Sequence, residues 1–197
     1  MAVLDFPNVA GRAETWELVY NTQTFVSPIN GITQTAELPG ARWRATVNFV
    51  NLTTDRAAKL RSFLAQMRGQ AGRCWLSPNG ERLSSGTGDP RVAGAGQTGN
   101  AINVDGFTAS TLVVAEGDYV EIDGELKIAT ADTVSDGSGL GVVSFEPPLV
   151  RSPTDNNQVR VINPRCRMRL LNDSQASFQL SLPQIHNVTL QFEEDLF

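Results

Sequence analysis

Hydrophobic and polar residues alternate with a period of two along most of this chain, and the longest clean run is Ala41–Val50, ARWRATVNFV. Trp43, Ala45, Val47 and Phe49 fall on one side and Arg42, Arg44, Thr46 and Asn48 on the other, which predicts a half-buried strand. ETWELVYNT repeats the pattern with Trp16, Leu18 and Tyr20 together, and ITQTAEL alternates again. Toward the C-terminus Arg165, Arg167 and Arg169 interleave with Cys166, Met168 and Leu170, giving one basic and one apolar face. ASFQLSL groups Phe178, Leu180 and Leu182, and HNVTLQFEEDLF groups Val188, Leu190 and Phe192 before an acidic end.

One stretch changes period. Ala57, Leu60, Leu64 and Met67, widened by Phe63, share one face of a helix predicted over 54–68, with Arg56, Lys59, Ser62 and Gln66 mostly opposite. Thr53 or Thr54 is placed to cap its first turn, and Asp55 suits the positive end of the helix dipole. Gly69 and Gly72 end it, because glycine enters the left-handed region without steric cost.

Turn signals divide the remainder. Asn30-Gly31 predicts a tight turn, Pro39-Gly40 a chain reversal, and Pro78-Asn79-Gly80 the end of the RCWLSP strand. Residues 1–12 lack any period and read as an arm. The Gly- and Pro-rich stretch Glu81–Asn100 reads as a crossing, with no regular element. Short strands then follow, punctuated by Asp105-Gly106, Glu116-Gly117-Asp118, Asp123-Gly124 and SDGSGLG, the signature of a small barrel or sandwich. The expected architecture is mainly β. A β-sandwich or split barrel from 1–80 and 161–197 carries the single flanking helix, and 81–160 forms an inserted small β-barrel that could be excised without unfolding the parent.

Charge sharpens that division. Leu76–Arg160 holds 12 acidic and 5 basic residues, against 9 and 11 in the rest of the chain, within a net charge of −5. Thr54–Arg73 carries Arg56, Lys59, Arg61, Arg68 and Arg73 against Asp55 alone, either a solvated helix face or a contact for an acidic neighbour. No apolar run reaches the roughly 20 residues of a membrane helix, and MAVLDFPNVAGR has no basic region leading into an apolar one. Cys74 and Cys166 are too few for a disulfide framework and show no metal-ligand spacing, so they are expected as buried reduced thiols.

Candidate chemistry is sparse. His186 is the single histidine, with no local nucleophile to serve, and no G-x-S-x-G is present. GTGDPRVAGAG and SDGSGLG lack the Gly-Lys-Ser/Thr and strand–helix setting of a phosphate loop. Asp118, Glu121, Asp123, Glu125, Asp132 and Asp136 do not follow calcium-loop spacing and are expected at turns and on solvent-facing strand positions. Trp16, Trp43 and Trp75 are expected in the core, not as stacking platforms for nucleic acid. No enzyme, no cofactor and no metal site is expected.

A set of short motifs runs through the chain. It begins with Phe25, Ser27, Pro28 and Gly31 as Phe-x-Ser-Pro-x-x-Gly, then Gln34-Thr35, then Pro39-Gly40-x-x-Trp43. Phe63-Leu64, Gly69-Gln70-x-Gly72, Gly94-x-Gly96-Gln97-Thr98-Gly99, Gly117-Asp118, Pro147-Pro148-Leu149 and Met168-x-Leu170 follow. This pattern resembles the distal tail proteins of bacteriophages with long non-contractile tails, and it spans most of the chain. The resemblance implies a structural virion subunit, assembled in the host cytoplasm, that forms a hexameric ring. That ring joins the tail tube protein to the tail tip or baseplate hub protein. It also implies a ring-forming N-terminal β domain and an outward second domain, with DNA crossing the lumen without specific recognition. Trp43, Val47, Phe49, Arg56 and Lys59 are the expected ring contacts. A carbohydrate- or receptor-binding β domain of a tail tip is the alternative, and a glycan hydrolase using two separated carboxylates a further one.

Overall fold

A computed structural model describes residues 2–9, 12–78, 88–175, 177–181 and 185–196. Its elements in chain order are β1 (Leu4–Asp5), β2 (Arg12–Val26), β3 (Thr33–Leu52), α1 (Thr54–Met67), β4 (Cys74–Leu76), β5 (Arg91–Val92), β6 (Ala101–Asp105), β7 (Leu112–Val114), β8 (Tyr119–Ile122), β9 (Glu125–Ala129), β10 (Thr133–Val134), β11 (Gly141–Glu146), β12 (Val159–Arg160), β13 (Cys166–Leu170), β14 (Gln179–Ser181) and β15 (Ile185–Glu194). The fold is mainly β, with one α-helix and a short 3-10 turn among the described residues.

Seven strands make one mixed sheet in the order β1-β4-β13-β15-β3-β2, with β14 added to the other end of β15. Only β1–β4 is parallel. The alternation in ARWRATVNFV sets its faces: Trp43, Ala45, Val47 and Phe49 are buried beside Val188, Leu190 and Phe192 of β15 and Cys166, Met168 and Leu170 of β13. Helix α1 covers this face with the expected residues, Ala57, Leu60, Phe63, Leu64 and Met67. Leu60, Phe63, Leu64 and Met67 each contribute about 1.5–3 kcal/mol by leaving water. Thr53 holds the N-cap position without a side-chain hydrogen bond, contrary to expectation; the helix begins on its carbonyl, which accepts from Ala57 N–H at 2.9 Å. Arg68 (φ 53°) enters the left-handed region one residue before Gly69, so the helix ends earlier than glycine placement implies.

Three other expectations change. The N-terminal stretch is no loose arm: β1 pairs with β4, Val9 is buried, and the Phe6 ring packs on Phe49, Phe63 and Phe192. Pro39-Gly40 does not reverse the chain. The β2–β3 ladder steps from Val19↔Arg42 to Asn21↔Leu38, so Pro39, Gly40 and Ala41 bulge opposite Tyr20 alone. Gly40 (φ 109°) supplies the conformation, and Asn21 Nδ2 donates to Pro39 O at 3.0 Å. The same bulge turns Tyr20 out of the Trp16–Leu18 face and leaves it exposed. Finally, the crossing contributes β5 to the next sheet; residues 79–87, with the expected Asn79-Gly80 turn, lie outside the described residues, as do Gly11 and Leu182.

The second sheet runs β12-β8-β9-β11-β6-β5. It nearly closes into a barrel, because β5 returns to the chain before β12 through an Arg91–Gln158 bridge, with Val92 N–H donating to Asn157 O and Val159 N–H to Pro90 O, both 2.9 Å. Ile102, Val104, Val120, Ile122, Val143 and Phe145 fill it as a separate hydrophobic cluster. Asp123 (φ 51°) and Gly124 (φ 82°) make the two-residue β8–β9 turn that the sequence signals. The ribbon β7–β10 lies beside it.

The two clusters meet at a bonded junction. Leu126 of β9 belongs to the first core, and Tyr119 and Ile128 pack against it. Trp43 Nε1–H donates to Leu126 O at 2.8 Å, and Arg167 N–H to Gly124 O at 3.2 Å. Excising the barrel would therefore uncover Trp43 and strand its indole N–H.

Candidate assembly surfaces

The bulge divides the β2–β3 pair. On the far side of it, Asn21–Val26 pairs with Thr33–Leu38 as a two-stranded ribbon, closed at the tip by Ser27 N–H to Ile32 O (2.9 Å) and Gly31 N–H to Ser27 O (3.0 Å). The Asn30-Gly31 signal is realised here, with Gly31 at φ 69°. Nearly every residue of this ribbon is exposed, including Phe25 (59%), Val26, Ile29 (94%) and Ile32. No charged residue occurs from Asn21 to Ala36. A lone two-stranded hairpin is marginal in water, and exposed strand edges ordinarily carry lysines or other charges that discourage pairing. This arm carries apolar side chains, and its single charge, Glu37, sits at its base and away from the tip.

At the base of the arm, Leu38, Pro39 and Ala41 face Pro148, Leu149 and Val150 across an open groove of about 470 Å³. Its walls come from β3 on one side and the segment after β11 on the other.

The outer face of the seven-stranded sheet is arginine-rich. Glu193 lies 3.1 Å from Arg44, 2.5 Å from Arg169 and 3.7 Å from Arg42, while Asp195 lies 2.6 Å from Arg167 and 2.8 Å from Arg73. The carboxylates are covered and the guanidiniums remain 23–41% exposed, so each pair stabilises the fold by about 1 kcal/mol or less. Trp75 lies on this face with the Arg165 guanidinium 4.4 Å from its ring centroid, not in the core as expected. Alternation in RCRMRL signals the basic face, but nothing in the sequence reveals that the terminal acids reach back to it.

The expected solvent-facing acids behave differently as well. Asp118, Glu121 and Glu125 are buried. Asp118 accepts from Ala115 N–H (2.9 Å), Glu121 from Arg165 N–H (3.0 Å), and Glu125 from Val150 and Arg151 N–H (3.1 and 3.2 Å) while pairing with the buried Lys127 at 2.7 Å. They tie off backbone donors at loops, a demand that alternation does not record. Burial nevertheless pushes the Glu121 carboxyl above its ordinary range, against the opposing pull of Arg165 and Arg160. Glu194 bridges the junction: its carboxylate accepts Trp43 N–H at 3.0 Å and Leu126 N–H at 3.1 Å. Burial raises its pKa too, despite those bonds and nearby Lys127.

Of the five expected contact residues, Trp43, Val47 and Phe49 belong to the chain's own core, whereas Arg56 and Lys59 are exposed on α1. His186 is buried in β15, and its Nδ1 has no hydrogen-bond partner among the described residues. Cys74 and Cys166 are free and buried; burial lifts Cys74 to about 12 and Cys166 well above its usual value. Among the described residues, no three His, Cys, Asp or Glu side chains are grouped to hold a metal ion. The barrel's aromatics offer no stacking platform: Phe107 and Phe145 are buried and Tyr119 packs against Trp43 at 5.4 Å. No protein-family model and no curated protein matches this chain.

Proposed function

We propose that the protein is a structural subunit that assembles with copies of itself into a closed ring. In this reading it is a distal-tail-type component joining a phage tail tube to the tail tip. The observation that carries the reading is the arm of 21–38, free of charge from Asn21 to Ala36, with Phe25, Val26, Ile29 and Ile32 exposed and covered by none of the described residues. Apolar exposure of this kind marks an interaction surface. A closed ring of six uses such a surface repeatedly, since cyclic assemblies join unlike patches head to tail. The motif resemblance supplies the number of copies and the tail setting; the inserted barrel is the outward unit, and its excess of acids keeps it soluble there. The bonded carboxylates and covered aromatics favour this over glycan hydrolysis or sugar stacking.

The test is removal of the arm. Joining Thr22 to Glu37 through Asn-Gly should leave melting within about 2 °C, because nothing buried is lost, and should abolish rings seen by mass photometry and negative-stain microscopy. An armless protein that still forms rings, or a wild type found as one copy per particle, overturns the reading.

A further inference from the structure

We propose that the arm tip of one copy seats in the groove at the arm base of a second copy, packing Phe25, Ile29 and Ile32 against Leu38, Pro148, Leu149 and Val150. This rests on the assembly reading above and names its contact. A tip cannot fill its own groove. The ladder from Thr22↔Glu37 to Val26↔Thr33 is unbroken and holds the tip about 20 Å from the base at ~3.3 Å per residue. None of the described residues fills the groove, so the occupant we assign comes from another chain, and the tip needs a cover of matching chemistry.

Chemistry selects between the surfaces this chain offers. Seating an uncharged apolar tip on the arginine face, or on Arg56 and Lys59 of α1, would desolvate charges and return no partner. The groove presents mainly apolar walls, with Glu37 as its one charged lining residue and exposed to water, and a volume of about 470 Å³, in the range that accepts a small apolar cluster. Tip and groove are different patches at opposite ends of one rigid ribbon. Each copy donates one and receives one, the head-to-tail arrangement that closes when the rotation between copies allows. The competing apolar cover is the exposed set Leu112, Val134, Leu140 and Val142 on the barrel.

Ile29→Asp and Val150→Asp test the contact, since both side chains are exposed and neither variant disturbs a core. Sedimentation velocity over a range of concentrations should show the wild type as a closed oligomer and each variant alone as one copy, with unchanged melting. Mixing the two variants in equal amounts should give a species of two copies and no larger, because only one intact tip and one intact groove remain per pair. Val150→Asp that assembles like the wild type, while Ile29→Asp or Val134→Asp does not, overturns this contact and leaves the assembly reading standing. A wild type that stays single at every concentration, with variants indistinguishable from it, overturns both.

Discussion

Glu194 is the sharpest test of how the sheet and barrel are joined. Its carboxylate, 2% exposed, is the acceptor for two backbone donors on different sheets, Trp43 N–H and Leu126 N–H. Glu194→Ala leaves both without a partner, at about 1–3 kcal/mol each; removing a disfavoured buried charge offsets part of this, for a net loss of about 2–4 kcal/mol. At roughly 2–4 °C per kcal/mol for a chain of this size, melting should fall by about 5–15 °C. Glu194→Gln keeps one acceptor oxygen but turns its amide NH2, a donor, toward the other backbone N–H, so near pH 8 it should lose about 1–3 kcal/mol, less than Glu194→Ala. The pH dependence separates the cases. Because burial raises the native pKa, the native protein holds the Glu194 proton more tightly than the unfolded chain. The stability linked to it is fully present below the unfolded value of about 4.3 and is lost as pH rises through the raised native value. Urea titrations at about pH 5 and pH 8 should therefore show the wild type gaining on Glu194→Gln as pH falls. Glu121, raised in the same direction, contributes to both proteins and cancels in the comparison. An Ala variant as stable as the wild type, or a wild-type–Gln difference that ignores pH, refutes the reasoning.

Other outcomes follow from the packing. Leu60→Ala should cost about 2–5 kcal/mol in urea denaturation, as a fully buried helix residue leaves a cavity, while Lys59→Ala changes stability by less than about 0.5 kcal/mol. Glu193→Ala leaves Arg42, Arg44 and Arg169 facing one another; the destabilisation should be about 1 kcal/mol at low ionic strength and shrink with added salt, as screened repulsion does. Cys74, with its thiol pushed to about 12, should react with a thiol reagent at pH 8 only as fast as the protein unfolds; immediate labelling in the native state would show that the β4–β13 core is open.

The alternation that predicted β3, β13 and β15 also fixed which side of each is buried, and Trp43, Met168 and Phe192 lie where their parity places them. The helix was legible for the same reason: its apolar spacing survives any local error at the cap. Pro39-Gly40 was misleading because a bulge and a reversal use the same residues. Only the partner strand, supplying Asn21 and Tyr20, decides between them. Contact residues were harder. Trp43, Val47 and Phe49 attract attention through size and regularity, qualities that equally specify a core. The surface that stands out in three dimensions, Phe25 to Ile32, reads in sequence as an ordinary turn. Its one available signal was negative, the lack of charge from Asn21 to Ala36.

The bulge at Pro39–Ala41 has a mechanical consequence. Strand β3 has 20 residues, about 66 Å at ~3.3 Å per residue, and belongs to the arm, the sheet centre and the approach to α1 at once. Tension along the arm loads its ladders to β2 and β15 in shear, so many hydrogen bonds resist together and the strand transmits force with little give. A sideways push instead finds the bulge, where pairing is interrupted, and the arm swings there as a lever about a fulcrum. Trp43 stands two residues beyond that fulcrum, bonded to Leu126 of the barrel. Any deflection of the arm would thereby reach the barrel through Trp43, by its indole bond to Leu126 and its backbone bond to Glu194, a coupling stiff along one axis and compliant across it.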